Sequence, residues 1–325
     1  MSRWTARRAA VAAVLLIGAL TGGALAAVTP LPAIGYLANE PTPDSLPVLR
    51  AALRERAWVE GRSIELWPRY AQGKPELYAT QADELARLDV AVIVAVGVPA
   101  IEAARRATKT IPIVMVSPDD PAAAGLVGDP AAGSNLTGLT TFVPELSARR
   151  LELLRQVVPD VARVAVVWNP ASGSAAVDLK ATQAAAQAQS IEIVPFEVKG
   201  DSDVREVFVK IKEQRVQALV VLADALTLAR REAIAKAASR NGLPSVFALR
   251  DFVDAGGLIS YGATWTDVFR QAAGFVDQIL RGARPADLPL ARASRFELIV
   301  NLRTARSISV PIPLPLLRRA DRVIQ

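Results

Sequence analysis

The residues able to do chemistry are few, and the missing ones narrow the field first. The 325-residue chain has no Cys and no His, which removes disulfides, thiol nucleophiles, Ser-His dyads and the commonest zinc ligands together. Carboxylates remain. Asp119 and Asp120 sit in the polar turn Ser117-Pro118-Asp119-Asp120-Pro121, and Asp224 follows the apolar run 218–222. Such groups can transfer protons or neutralise an ammonium group, and a buried one without a partner is costly. Asp224 serves equally well as a helix cap. A potential anion site comes from Asp89 to Pro99, where seven apolar residues are followed by Gly97, Val98 and Pro99. Glycine permits a sharp turn and Pro99 suits a first helical turn, so a strand hands its carboxyl end to a helix amino terminus whose N–H groups suit a carboxylate. A plain βα turn has the same sequence. Tyr36 and Asn39 fall at the end of the first strand and Asn169 in the turn after Arg163–Trp168. Tyr261 offers a ring face or hydroxyl if it reaches a ligand, and core packing if it does not. Trp168 reads as core.

These residues share one feature: each lies at or near a strand's carboxyl end. Apolar runs rich in Val and Ile at 33–37, 90–96, 110–116, 163–168, 191–198, 218–222 and 243–247 suit strands buried on both faces. Between them lie segments of helical spacing, among them Leu46, Leu49 and Leu53; Leu77, Gln81, Leu85 and Leu88; and, behind a Ser147 cap, Leu151, Leu154 and Val158. The cleanest helix starts at Asp267, with Val268, Ala272, Phe275, Val276 and Ile279 on one face. The strand–helix grammar occurs twice over, predicting an α/β chain of two similar lobes. In open α/β sheets, ligands bind outside the carboxyl ends of the strands.

The amino terminus reads as an export leader. Arg3, Arg7 and Arg8 precede an apolar run from Ala9 to Leu20, and Ala24-Leu25-Ala26 fits cleavage after Ala26. An uncleaved anchor is the other reading of this segment. Removing it takes away three Arg and no acid, lowering the formal charge from +6 to +3. That balance is too mild for a nucleic-acid footprint. Only 5% of residues are aromatic, so aromatics gathered in a pocket would stand out. Asn135-Leu136-Thr137 matches a glycosylation sequon, but no other feature suggests that route.

Taken together, several strings resemble the ABC-transporter substrate-binding proteins of the tryptophan/tyrosine-binding type, a branch of the type I periplasmic binding proteins. They include Val59-Glu60-Gly61, Thr110-Ile111-Pro112-Ile113-Val114, Asn135-Leu136-Thr137-Gly138, Trp168-Asn169-Pro170, Arg250-Asp251-Phe252-Val253-Asp254-Ala255-Gly256-Gly257 and Phe296-Glu297-Leu298-Ile299-Val300-Asn301. The resemblance implies two Rossmann-like lobes with parallel-sheet cores joined by three crossovers. Carried onto this chain, residues 1–26 form the leader, 33–142 plus 262–290 the first lobe, and 143–261 plus 291–325 the second. It departs from its relatives at Val98, where they carry a hydroxyl, and Asp119-Asp120 has one acid more than the pattern.

The expectation is a periplasmic, monomeric, non-enzymatic binding protein without cofactor or metal. It would hold a small organic solute, an amino acid or other carboxylate, and deliver it to an inner-membrane permease and its ATPase. The expected ligand-binding residues are Tyr36, Asn39, Gly97, Val98, Pro99, Asp119, Asp120, Asn169, Asp224 and Tyr261. Two other classes stay open: a ligand sensor partnering a membrane receptor, and a secreted hydrolase using Asp119 with Asp224. A repressor of the lactose-repressor type shares the fold but needs a helix-turn-helix where the leader lies.

Overall fold

The chain builds two sheets, each covered by helices on both faces. The computed structural model describes residues 30–126, 134–200 and 203–325, so the leader expected over 1–26 lies outside the described residues. Residues 32–325 form one unit.

The first sheet takes its strands from β1 (Ala33–Ala38), β2 (Glu65–Tyr70), β3 (Val92–Val96), β4 (Ile113–Ser117), β5 (Leu136–Thr140) and the short β11 (Ala291–Arg292). Their order is β11-β5-β4-β3-β1-β2, every pair parallel. Helices α1 (Leu46–Glu55) and α10 (Trp265–Leu280) cover one face, packing Leu49, Leu53, Val268, Phe269 and Val276 on Tyr36, Val94 and Val116. Helices α2 (Leu77–Arg87) and α3 (Val98–Ala107) cover the other, with Leu85 and Ile101 against Leu37, Ile93, Ala95 and Met115. Successive strand residues point to opposite faces and both faces are dry, which is why these strands are continuous apolar runs.

The second sheet has the order β13-β12-β10-β9-β8-β6-β7. It contains β6 (Arg163–Trp168), β7 (Glu192–Glu197), β8 (Ala218–Val221), β9 (Ser245–Phe247), β10 (Ile259–Ala263), β12 (Phe296–Asn301) and β13 (Arg322–Ile324). Helices α4 (Leu146–Val157) and α5 (Gly173–Ala188) lie on one side; α6 (Asp203–Glu213), α8 (Arg231–Arg240) and α9 (Arg250–Asp254) lie on the other. Between β8 and α8 sits the short α7 (Ala225–Ala229). All pairs are parallel except β10–β12. The exception follows from chain tracing: β10 runs towards the lobe junction and leaves through it, and β12 starts there and runs back.

The chain passes between the sheets three times, after β5, after β10 and between β11 and β12. Sheet hydrogen bonding keeps Gly262 and Ala263 with the second sheet and pairs Ala291 and Arg292 with the first, each a residue or two from the boundaries expected above. This is the two-lobed α/β fold that the sequence implies.

One local expectation needs correction. Ser147 does not cap α4, which starts at Leu146; its buried hydroxyl donates to Asp178 Oδ1 at 2.6 Å. Asp178 also lies 3.6 Å from the Arg150 guanidinium, and both side chains are buried. Burial pushes the Arg150 pKa down, with Asp178 opposing the shift. The sequon has a structural role as well: Asn135 Nδ2 donates to Ile111 O at 2.7 Å, and Thr137 is fully buried, its hydroxyl donating to Leu288 O.

Candidate functional site

A cavity of about 560 Å³ opens where the carboxyl ends of β1, β3 and β4 face the second lobe. Its size is that of a small-molecule site. The first lobe contributes Tyr36, the loop after β1, Tyr78, Gly97-Val98-Pro99 and Asp119; the second contributes Leu228 and Arg231 on α7–α8, and Arg250, Asp251 and Asp254 on α9. Trp265 and Phe269, at the start of α10, close the side nearest the crossovers. Four of the chain's 17 aromatics line this space.

The β3–α3 junction folds as its residues dictate. Gly97 is the residue before the helix, with φ +83° and ψ 152°, a region essentially restricted to glycine. Its N–H donates to Val116 O and its carbonyl accepts from Ile101 N. Val98 and Pro99 then present the first helical turn to the cavity.

Asp119 follows β4 and is 5% exposed. Its pKa is pushed up to about 6, first by burial and then by the negative charge of Asp224 across the lobe boundary; the Ser174 hydroxyl opposes the shift. Asp251 is raised too, by burial, although the Trp265 indole N–H at 3.4 Å and the Arg231 charge favour its ionised form. Tyr36 is fully buried and its ring meets Tyr70 edge-on at 6.0 Å. Burial raises its pKa. The neighbouring Ser45 hydroxyl, which donates to Thr42 O at 2.8 Å, opposes that shift; the Tyr36 hydroxyl itself is buried without a hydrogen bond among the described residues.

Both lobes touch around the cavity rim. Arg231 Nη2 lies 3.2 Å from Glu40 Oε1 and Arg250 Nη1 lies 3.2 Å from Asp44 Oδ2, each pair spanning the lobes. Burial works against the Arg250 charge, but Asp44, Glu297 and Asp254 around it outweigh that and hold its pKa up. On the far side Asp120 N donates to Ser174 Oγ at 3.0 Å. Gly173 sits so close to the first lobe that a Cβ there would lie 2.6 Å from Ala123 O.

Of the residues the sequence nominated, Tyr36, Asn39, Gly97, Val98, Pro99 and Asp119 converge on the cavity. Asn39 Oδ1 accepts from Gly73 N at 2.9 Å, which ties the first strand's loop to the next. Asp120, Asn169, Asp224 and Tyr261 do not line it. Asp224 is a helix cap: Oδ1 accepts from Thr227 N, Thr227 Oγ1 accepts from Asp224 N, and Asn169 Nδ2 donates to Oδ2. Asn169 is the brace that holds this cap, its own Oδ1 accepting from Ala171 N. Asp120 Oδ1 accepts from Ala122 N, closing its own turn. Tyr261 packs on Phe296 with ring centroids 6.3 Å apart, among the second lobe's apolar residues. Both Asp224 oxygens accept from structural donors and do not face the cavity beside Asp119.

Sequence reasoning passed over Glu40, Asp44, Arg231, Arg250, Asp251 and Trp265. Arg250 and Asp251 stood inside the string Arg250-Asp251-Phe252, and Asp44 stands just ahead of the first helix. Nothing local marked Arg231 or Glu40, which meet only through the tertiary fold.

Known proteins share this fold. A tyrosine-binding protein of Clostridioides difficile (strain R20291) is 23% identical over 260 residues, 80% of this chain and 74% of that protein. A conserved domain protein of Vibrio cholerae O1 biovar eltor superposes with a TM-score of 0.79 at 26% identity, over 90% of this chain and all of the other. The ABC domain of Streptococcus pneumoniae in complex with L-Trp gives 0.79 at 21% identity, over 91% of this chain and all of the other. The family model for ABC transporter substrate binding proteins matches residues 48–324, and the chain belongs to that family.

Proposed function

We propose that this protein is the solute-capturing component of an ABC importer. It works in the periplasm as a monomer, holds a small organic molecule such as an amino acid or another carboxylate between its lobes, and passes it unchanged to an inner-membrane permease driven by an ATPase. The observation carrying this reading is the cavity itself, which both lobes line at the strand ends and which is lined by a fully buried Tyr36 hydroxyl without a hydrogen-bond partner among the described residues. A ligand that contacts both lobes stabilises their approach by its preference for that form. The ligands of those relatives, tyrosine and L-Trp, together with the aromatic lining, nominate aromatic amino acids as first compounds.

The test is a thermal-shift and calorimetric screen of purified protein against amino acids, amines, organic acids and neutral solutes. A ligand at a hundred times its Kd should add about 2.7 kcal/mol of stability, with one site per chain. A broad panel in which no compound shifts the melting temperature sinks the solute-binding reading.

A further inference from the structure

The charges around the cavity are unequal. Six carboxylates line it, on Glu40, Asp44, Asp119, Glu232, Asp251 and Asp254, against the two guanidinium groups of Arg231 and Arg250. Both guanidinium groups are already engaged. Arg231 Nη2 lies on Glu40 and its Nη1 donates to Leu228 O; Arg250 Nη1 lies on Asp44 while its Nε donates to Asp254. The cations that would clamp a ligand carboxylate are therefore spent on holding the lobes together. Among the described residues, neither Asp119 nor Asp251 forms an ion pair. Asp119 is 5% exposed, and a buried carboxylate facing another acid without a cation is costly.

From this imbalance, and from the buried Tyr36 hydroxyl that lines the same space without a hydrogen bond among the described residues, we infer that the cavity recognises its ligand by a cationic amine. The amine sits towards Asp119 and Asp251, an apolar or aromatic body lies against Trp265, Phe269 and Tyr78, and no ligand carboxylate is required. The inference rests on the solute-binding reading and narrows it: the ligand class is a primary amine with a flat apolar body, of which an amino acid is one example and its decarboxylated amine another. The amine replaces the missing counter-charge at Asp119, and the aromatic faces add attraction to the cation. The helix start at Val98 and Pro99 contributes a backbone dipole, which is weaker than a guanidinium clamp for an anion.

Calorimetry with three matched probes tests this: tyramine, 3-(4-hydroxyphenyl)propanoate and L-tyrosine, which carry the amine alone, the carboxylate alone and both. Tyramine is expected to bind within about tenfold of L-tyrosine, and the carboxylate probe at least about a hundredfold more weakly than tyramine. Asp119→Asn should weaken tyramine about tenfold or more. If that variant does not fold, Asp251→Asn is titrated in its place, and the wild-type comparison needs neither. A carboxylate probe that binds as tightly as tyramine overturns the inference while leaving solute binding intact. So does a set of ligands from the broad panel that are all anionic or neutral. A panel in which nothing binds overturns both.

Discussion

Asp119 concentrates the electrostatic cost of the cleft. Its folded-state pKa of about 6 lies above the ordinary value of 3.8, so the folded state holds this proton more tightly than the unfolded chain does. The sign follows: the penalty is absent below about pH 4, grows between pH 4 and 6, and is complete above that. Two pKa units correspond to about 3 kcal/mol. Urea denaturation of ligand-free protein at pH 4.5 and 7.5 should show Asp119→Asn more stable than the parent at pH 7.5, with the difference shrinking at pH 4.5. An equal difference at both pH values would refute the burial argument. Asp178 is the opposite case, a buried acid with a cation at 3.6 Å and a hydroxyl donor. Asp178→Ala strands the buried Arg150 charge and should cost about 3–5 kcal/mol in the same assay. A loss under 1 kcal/mol would mean that water reaches the pair.

At the scale of elements, the β3–α3 junction places the site. Gly97 sits at φ +83° and ψ 152°, and a Cβ there would meet nothing closer than Pro99 Cδ at 4.0 Å. The obstacle to substitution is therefore conformational rather than steric. Gly97→Ala should cost about 1–3 kcal/mol and, by displacing the first turn of α3, weaken ligand binding as well; chemical denaturation and calorimetry read the two effects separately. Full wild-type stability in Gly97→Ala would show that the backbone relaxes without cost. This junction was legible in advance, since seven apolar residues, a glycine and a proline mean the same thing in any α/β chain. The Asp224 turn was legible only as two alternatives. Whether a carboxylate at a strand end faces a cavity or folds back onto its own helix depends on its rotamer and neighbours. Here Thr227 and Asn169 settled it in favour of the cap.

For the whole molecule, the proposed capture of a solute depends on how closely the two lobes approach. Their contact rests on Gly173 against Ala123, Ser174 with Asp120, and the pairs Arg231–Glu40 and Arg250–Asp44. Partly exposed ion pairs contribute about 1 kcal/mol or less each, so they bias the approach without locking it and leave room for a ligand to shift the balance. Gly173→Leu should prop the lobes apart, since even a Cβ would lie 2.6 Å from Ala123 O. Small-angle scattering with saturating ligand should report a larger radius of gyration than the parent, and calorimetry a weaker affinity. An unchanged radius and affinity would show that the lobes need no such contact to hold a ligand.

The amino-acid sequence alone determined the two-lobed α/β fold, because buried parallel strands must be apolar on both faces and strand–helix punctuation is local; the three crossings were what its resemblance to a known family implied. It also found the first lobe's half of the cavity, whose residues sit at strand ends where ligands of such sheets bind. Only the tertiary structure decided which carboxylates face the cavity, and it supplied the second lobe's share: Arg231, Arg250 and Asp251 reach the site from short helices beyond their strands. Their meeting with Glu40, Asp44 and Trp265 spans up to about two hundred residues of chain, and contacts at that separation are set by packing between lobes, which leaves no periodicity in the sequence to read.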